Sequence, residues 1–167
     1  MQRALCCCGL WACSLLAQAD SKTATIGVSA TLLSACEAGS SSGGNVGFGA
    51  LNFGTLYFLS TAISVAGQQN AGAIRVKCTN GTNYSVLLSG GQSGNTNARY
   101  LQSATGQRVN YNLYTNAAHN TIWDNMTGVS QTANGSDNWL PVYGMIPAQP
   151  PPQTGRYTDT VQVTINW

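Results

Sequence analysis

Apolar and polar residues alternate one for one along much of this chain. From Ala24, the residues Ala24, Ile26, Val28, Ala30 and Leu32 are apolar, and Thr25, Gly27, Ser29 and Thr31 between them are small or polar. Period two is the signature of a strand with two unlike faces. The same reading predicts strands over Val46 to Phe53, Leu56 to Ala66, Ala73 to Cys78 and Tyr84 to Leu88. Val109, Tyr111 and Leu113 face one way from a further strand, with Asn110, Asn112 and Tyr114 facing the other. Trp139 to Ile146 returns to strand, bent or at an edge because Pro141 cannot donate to a ladder. In the last stretch Tyr157, Val161, Val163, Ile165 and Trp167 share a face opposite Thr158, Thr160, Gln162, Thr164 and Asn166. Turn chemistry separates these runs: Ser40 to Gly44, Gln68 to Gly72, Asn80-Gly81-Thr82-Asn83, Gly90 to Asn97 and Asp124 to Asn138. Many short strands with frequent turns predict an all-β sandwich.

Composition supports that class and narrows the function. The chain has 167 residues, the length of one domain, and 43% are hydrophobic, enough for a core. Only 7% are charged; 15 Asn, 15 Ser and 17 Thr supply most of the polarity. The formal net charge of +2 gives no strong attraction for nucleic acid or anionic lipid. A single histidine, His119, excludes any site that needs two.

Residues 1–19 read as an address. Arg3 is a basic n-region, Ala4 to Ala17 an uncharged apolar run, and Ala17-Gln18-Ala19 a small-x-small cleavage site. The run is shorter than the roughly 20 residues of a membrane-spanning helix. A retained anchor and a lipoprotein processed at Cys13 are the competing readings, the second disfavoured by bulky Trp11 beside the cleavage position. After signal cleavage no stable membrane insertion is expected. Cys6, Cys7, Cys8 and Cys13 leave with the signal peptide, so Cys36 and Cys78 remain, and two cysteines in an exported protein read as one disulfide. Closing a loop of about 43 residues is worth roughly 4 kcal/mol in the chain-entropy description.

No catalytic chemistry is legible. There is no G-x-S-x-G, H-E-x-x-H or Walker loop. Gly47-Phe48-Gly49 has Asn52 where a dinucleotide loop needs its third glycine. The acidic residues Asp20, Glu37, Asp124, Asp137 and Asp159 are scattered, and His119 reads as a surface residue. Neither a metal nor a cofactor is expected. The chain ends are the unusual part. The closing strand needs its apolar face covered, and an apolar stripe lies ahead of Cys36. That stripe is either the first strand of its own sandwich or a strand that complements another subunit's edge.

Four blocks carry a resemblance. Phe48-Gly49-Ala50-Leu51-Asn52-Phe53-Gly54, Tyr111-Asn112-Leu113-Tyr114-Thr115 with Trp123, Gly144-Met145-Ile146-Pro147-Ala148, and the strand from Gly155 to Trp167 together resemble the spore coat protein U domain family, found in subunits of archaic chaperone–usher pili. Cys36 and Cys78 match its cysteine pair; Asn116 and the Pro-rich stretch before Gly155 depart from its pattern. The resemblance implies an incomplete immunoglobulin-like β-sandwich completed by donor-strand complementation. Residues 1–19 are then the signal peptide, 20–35 the donor-strand segment and 36–167 the pilin domain. Ile26, Val28, Ala30 and Leu32 would be the donor row; Val161, Val163, Ile165 and Trp167 would line the chaperone and acceptor groove. The implied partners are a periplasmic pilus chaperone, an outer-membrane usher and other pilin subunits. A shaft or adaptor subunit of a surface pilus is the expected function; a secreted coat protein or carbohydrate-binding adhesin of the same fold is the alternative.

Overall fold

The computed structural model describes residues 22–42 and 45–167; the expected signal peptide, and Gly43 and Gly44, lie outside them. The chain divides into two units, Met1–Thr31 and Leu32–Trp167. In the first of these the described residues, 22–31, form no strand, and their side chains are exposed. The strand expected from Ala24 to Leu32 is therefore not formed by the single chain.

The described residues of 32–167 hold thirteen short strands and one 3-10 turn, Gly91–Ser93. The strands are β1 (Cys36–Ala38), β2 (Ser40–Ser42), β3 (Asn45–Gly47), β4 (Ile63–Ala66), β5 (Ile74–Cys78), β6 (Asn83–Leu88) and β7 (Arg99–Ser103). They continue with β8 (Arg108–Tyr114), β9 (Val129–Thr132), β10 (Asn138–Leu140), β11 (Tyr143–Ile146), β12 (Tyr157–Thr158) and β13 (Val163–Asn166). One sheet has the order β12-β7-β8-β11-β4, a second β1-β5-β10, a third β13-β6-β9, and β2 pairs with β3. Every ladder is antiparallel.

Two long chain paths run through the first two sheets. Residues 63–78 supply β4 and β5, and 138–146 supply β10 and β11; they pair on both sides of a shared interruption. Pro141 sits in that interruption, where no ladder bond is asked of it. Gly67 N donates to Val142 O (2.8 Å) and carries the pairing across the gap.

The core lies where the alternating rows meet. Ile74, Val76 and Cys78 of β5, Tyr84, Val86 and Leu88 of β6, and Val109, Tyr111 and Leu113 of β8 are buried, with Trp123, Leu140 and Ile146 against them. Their intervening neighbours are mostly less buried, as the pleat requires. The indole Nε1 of Trp123 donates to Val86 O (2.8 Å), so its polar atom is satisfied at depth. Cys36 and Cys78 are direct cross-strand partners of β1 and β5 and form the expected disulfide.

Four expectations about strands are corrected. Leu56 to Ala66 is strand only over Ile63–Ala66, and Val46 to Phe53 only as far as Gly47. Asp124 to Asn138, read as turns, contains β9. Residues 157–167 do not form one strand: β12 pairs with β7, and β13 pairs with β6 in another sheet.

Asn112 was expected to face outward, yet it is buried. The cause is Arg99, only 1% exposed. Its guanidinium donates to Asn112 Oδ1 (2.7 Å) and to the carbonyls of Leu88 (3.3 Å), Ser89 (2.7 Å), Thr96 (3.1 Å) and Trp123 (2.8 Å). Burial lowers the pKa of Arg99, with the nearby charges of Asp159 and Asp124 acting the other way. A guanidinium stays charged even so.

Candidate functional site

The described residues of the body leave one edge open in a telling place. β13 pairs with β6 on one side, Val163 opposite Leu88 and Ile165 opposite Val86. No strand pairs with its other edge among the described residues. Ser89 N donates to Gln162 O (2.9 Å). In an antiparallel ladder this directs the backbone groups of Gln162, Thr164 and Asn166 at β6, and those of Val161, Val163 and Ile165 at the open edge. The strand therefore offers a row of unpaired donors and acceptors.

Beside that edge lies a groove of about 700 Å3. The chain from Asp159 to Ile165 forms one rim; Ala38 and the run from Gly47 to Leu51 form the other. Ile74, Leu88, Tyr111, Leu113 and Val142 lie beneath. Val161, Val163 and Ile165 are half-buried, packed against the core on one side and lining the groove on the other. The groove is thus mainly aliphatic and aromatic, and it adjoins a strand edge.

The strandless wall is held by backbone that only glycine allows. Gly49 has φ +76°, and a Cβ there would lie 2.1 Å from Asn70 O. A Cβ on Gly144 would meet Leu51 Cδ2 at 2.8 Å and Phe53 Cζ at 2.9 Å. Phe53 also packs edge-on against Tyr111, 6.1 Å between ring centroids. The glycines and aromatics of the first and third resemblance blocks thus come together to fix one side of the groove.

Asp159 fixes the other side, at the point where the chain changes sheets. Its carboxylate accepts from Tyr111 Oη (2.7 Å), Gln92 N (2.8 Å) and Thr160 N (2.7 Å). Burial raises the Tyr111 pKa, reinforced by this hydrogen bond and by the Asp159 charge, so the hydroxyl remains a donor. By spacing alone Asp159 reads as one of five scattered acids. Its place between two apolar rows of the last stretch was the available signal.

The other expected residues fall as follows. Ile26, Val28 and Leu32 are 89%, 91% and 86% exposed, and Ala30 is exposed too. Trp167 is 62% exposed and does not line the groove with Val161, Val163 and Ile165. It borders a separate shallow cleft with Tyr84, Gln131 and Asn166. Asp124 accepts from the backbone N–H groups of Met126, Thr127 and Gly128 (3.1, 2.7 and 3.0 Å), and Asp137 pairs with Arg75 (2.7 Å). His119, in a left-handed turn with φ 53°, packs edge-on against Tyr114 and Tyr143. No group of three or more metal-ligating side chains occurs among the described residues. No helix there is long and apolar enough to cross a membrane.

The described residues thus form an all-β, immunoglobulin-like sandwich with an apolar groove beside a strand edge that no other described strand pairs. The chain belongs to the Spore Coat Protein U domain family, whose profile matches residues 22–164. It is 31% identical over 162 residues to Protein U of Myxococcus xanthus, covering 90% of this chain and 88% of that protein. Among solved structures it resembles a chain of the CsuC–CsuE chaperone–tip adhesion subunit pre-assembly complex from archaic chaperone–usher Csu pili of Acinetobacter baumannii. That match has a TM-score of 0.52 at 20% identity and covers 82% of this chain, which spans only 41% of the other. At that identity the likeness is one of fold.

Proposed function

We propose that this protein is a structural subunit, of shaft or adaptor type, in a surface pilus assembled by a chaperone–usher pathway. The observation that carries the proposal is a complementary pair within one chain. The body has an open edge and an apolar groove, and the N-terminal segment has an exposed, strand-length apolar row.

In an extended segment Ile26, Val28, Ala30 and Leu32 project to one face about 6.5–7 Å apart. Inserted beside β13, their backbone would satisfy the free groups of Val161, Val163 and Ile165. Burial of a side chain such as Ile, Val or Leu is worth roughly 1.5–3 kcal/mol, which gives about 5–9 kcal/mol for Ile26, Val28 and Leu32 before ordering costs. The segment serves the next subunit's groove. Before that, a periplasmic chaperone supplies a strand to the same groove, and an outer-membrane usher hosts the exchange. The subunit reaches the cell surface through the periplasm after signal cleavage, and the resulting fibre supports adhesion and biofilm formation. The mechanism makes and breaks no covalent bonds and uses no cofactor.

The test removes Asp20 to Val28. The shortened subunit should still bind its chaperone, because the groove is intact, but form no ladder of polymers on a gel run without boiling. Loss of the chaperone complex as well would assign the segment to its own sandwich. A full ladder would mean subunits join by other means. The family's name and the likeness to Protein U favour a second reading, a secreted coat protein. Genes for a chaperone and an usher beside this one support the pilus, and their absence supports the coat.

A further inference from the structure

One serine grips the acceptor strand at its entry. We propose that Ser89 is a positioning residue for strand capture: its hydroxyl fixes the backbone just ahead of β13 and so holds Val161 in the groove row. The proposal rests on the strand-exchange reading and names the residue that prepares the groove for it.

At this point a side chain replaces a main-chain ladder bond. Ser89 N donates to Gln162 O (2.9 Å). In a regular antiparallel pair Gln162 N would donate back to Ser89 O. That carbonyl is taken: Arg99 donates to it from Nε (2.9 Å) and from Nη2 (2.7 Å), which uses both lone pairs. Gln162 N donates to the Ser89 hydroxyl instead (2.8 Å), and Gly91 N donates to the same oxygen (3.3 Å). The hydroxyl can accept both. Ser89 thus joins the buried Arg99 cluster to the open strand.

The grip matters because of where Val161 lies. β13 covers Val163–Asn166, and its rungs with β6 hold Val163 opposite Leu88 and Ile165 opposite Val86. Val161 precedes these rungs, yet it lines the groove with Val163 and Ile165. Two anchors bracket it. Asp159, held by Tyr111 Oη and Gln92 N, fixes the chain on one side; Gln162, held by Ser89, fixes it on the other. Without the hydroxyl, Gln162 keeps only the bond from Ser89 N, and the peptide plane between Val161 and Gln162 can turn about it. The free N–H and C=O of Val161 then leave the line of those on Val163 and Ile165. An incoming strand would lose its first rung and keep the other two.

Two measurements on the full-length exported chain test this role. The first is amide hydrogen exchange of the free subunit, followed by NMR. Ser89→Ala should speed exchange at Gln162 by about tenfold, the loss of one hydrogen bond, and leave Thr164 in the β6 ladder unchanged. Ser89→Thr keeps the hydroxyl and should keep the protection. The second is oxidative cross-linking between two full-length subunits. The donor carries Ile26→Cys, Val28→Cys, Ala30→Cys or Leu32→Cys, and the acceptor carries Val161→Cys or Ile165→Cys. At the donor position that gives each acceptor cysteine its highest yield, Ser89→Ala should cut the Val161→Cys product about fivefold and the Ile165→Cys product by less than about twofold. Ser89→Thr should restore the first. A general loss of fold or affinity would lower both products alike. Unchanged exchange at Gln162, an equal rise at Thr164, or equal falls in the two products overturn the role of Ser89. Faster exchange at Gln162 with an undiminished Val161→Cys product overturns it too. Exchange as expected, but no cross-link even with Ser89 in place, overturns the strand-exchange reading and the capture role with it.

Discussion

Replacing Arg99 by Met should destabilise the domain more than any surface change. The methionine keeps the length of the stem but removes a guanidinium that reaches five acceptors: the carbonyls of Leu88, Ser89, Thr96 and Trp123, and Asn112 Oδ1. A buried acceptor left without a partner costs about 1–3 kcal/mol. Some of these carbonyls will recover water at the partly open side near Ser89, so the sum is not additive. A net loss of about 3–5 kcal/mol is expected, the size seen when one partner of a buried charged network is removed. With a urea slope of about 2 kcal/mol per M, the midpoint should fall by about 2 M. Arg99→Lys should lie between, since three ammonium donors cannot reach five acceptors. The effect should extend to the groove: Ser89 also holds Gln162 at the entry to β13, through Ser89 N to Gln162 O (2.9 Å) and Gln162 N to Ser89 Oγ (2.8 Å). The assay is urea unfolding of the purified oxidised chain, followed by far-ultraviolet circular dichroism. A midpoint within about 0.3 M of the unsubstituted chain would refute the reasoning. It would show that these acceptors are satisfied without the guanidinium.

Cys36→Ser should lower stability by up to about 4 kcal/mol in the same assay, and reduction of the unsubstituted chain should match it. Asp124 provides a pH signature. Three backbone N–H bonds, that of Gly128 foremost, hold its carboxyl below the usual carboxylate range. The unfolded chain therefore takes up the proton first, and the Asp124 contribution is present above about pH 4 and lost as pH falls through the lower folded value. The advantage of the unsubstituted chain over Asp124→Asn should shrink across that window; a difference independent of pH would contradict the assignment. Gly144→Ala should push Leu51 and Phe53 into the groove. Capture of an added peptide of residues 22–33 by a chain lacking its own segment should fall by about tenfold or more, while the urea midpoint moves much less.

Local alternation made the central strands legible. Residues 74–78, 84–88 and 109–113 bury the side chains that their period-two pattern selects, because each strand is covered on one face by its own domain. Where the pattern misled, a long-range contact had replaced the ladder. Phe48, Leu51 and Phe53 look like strand residues, but they pack as a wall around Gly72 and Gly144. Arg99 gave no local sign of burial, because its acceptors come from residues 88, 89, 96, 112 and 123. The apolar row of the groove was readable from residues 161–165; the change of sheet at Asp159 was not, since it depends on Gln92 and Tyr111. Trp167 continues that row in sequence but not in the groove lining, because it lies past the end of β13, beyond the last rung with Ser85.

The central claim is that one subunit's N-terminal row occupies another's groove, and cysteine trapping reads it directly. Paired strands bring facing residues to Cα separations of about 4.5–5.5 Å, within the reach of a disulfide. Val163→Cys is placed in one subunit, and Ile26→Cys, Val28→Cys, Ala30→Cys or Leu32→Cys in a second, differently tagged one. After assembly and oxidation, a gel without reductant should show a cross-linked heterodimer for one or two of these four positions. Thr25→Cys and Thr31→Cys, on the opposite face of the segment, should give almost none. Cross-links confined within single subunits, or equal yields from both faces, would contradict the account.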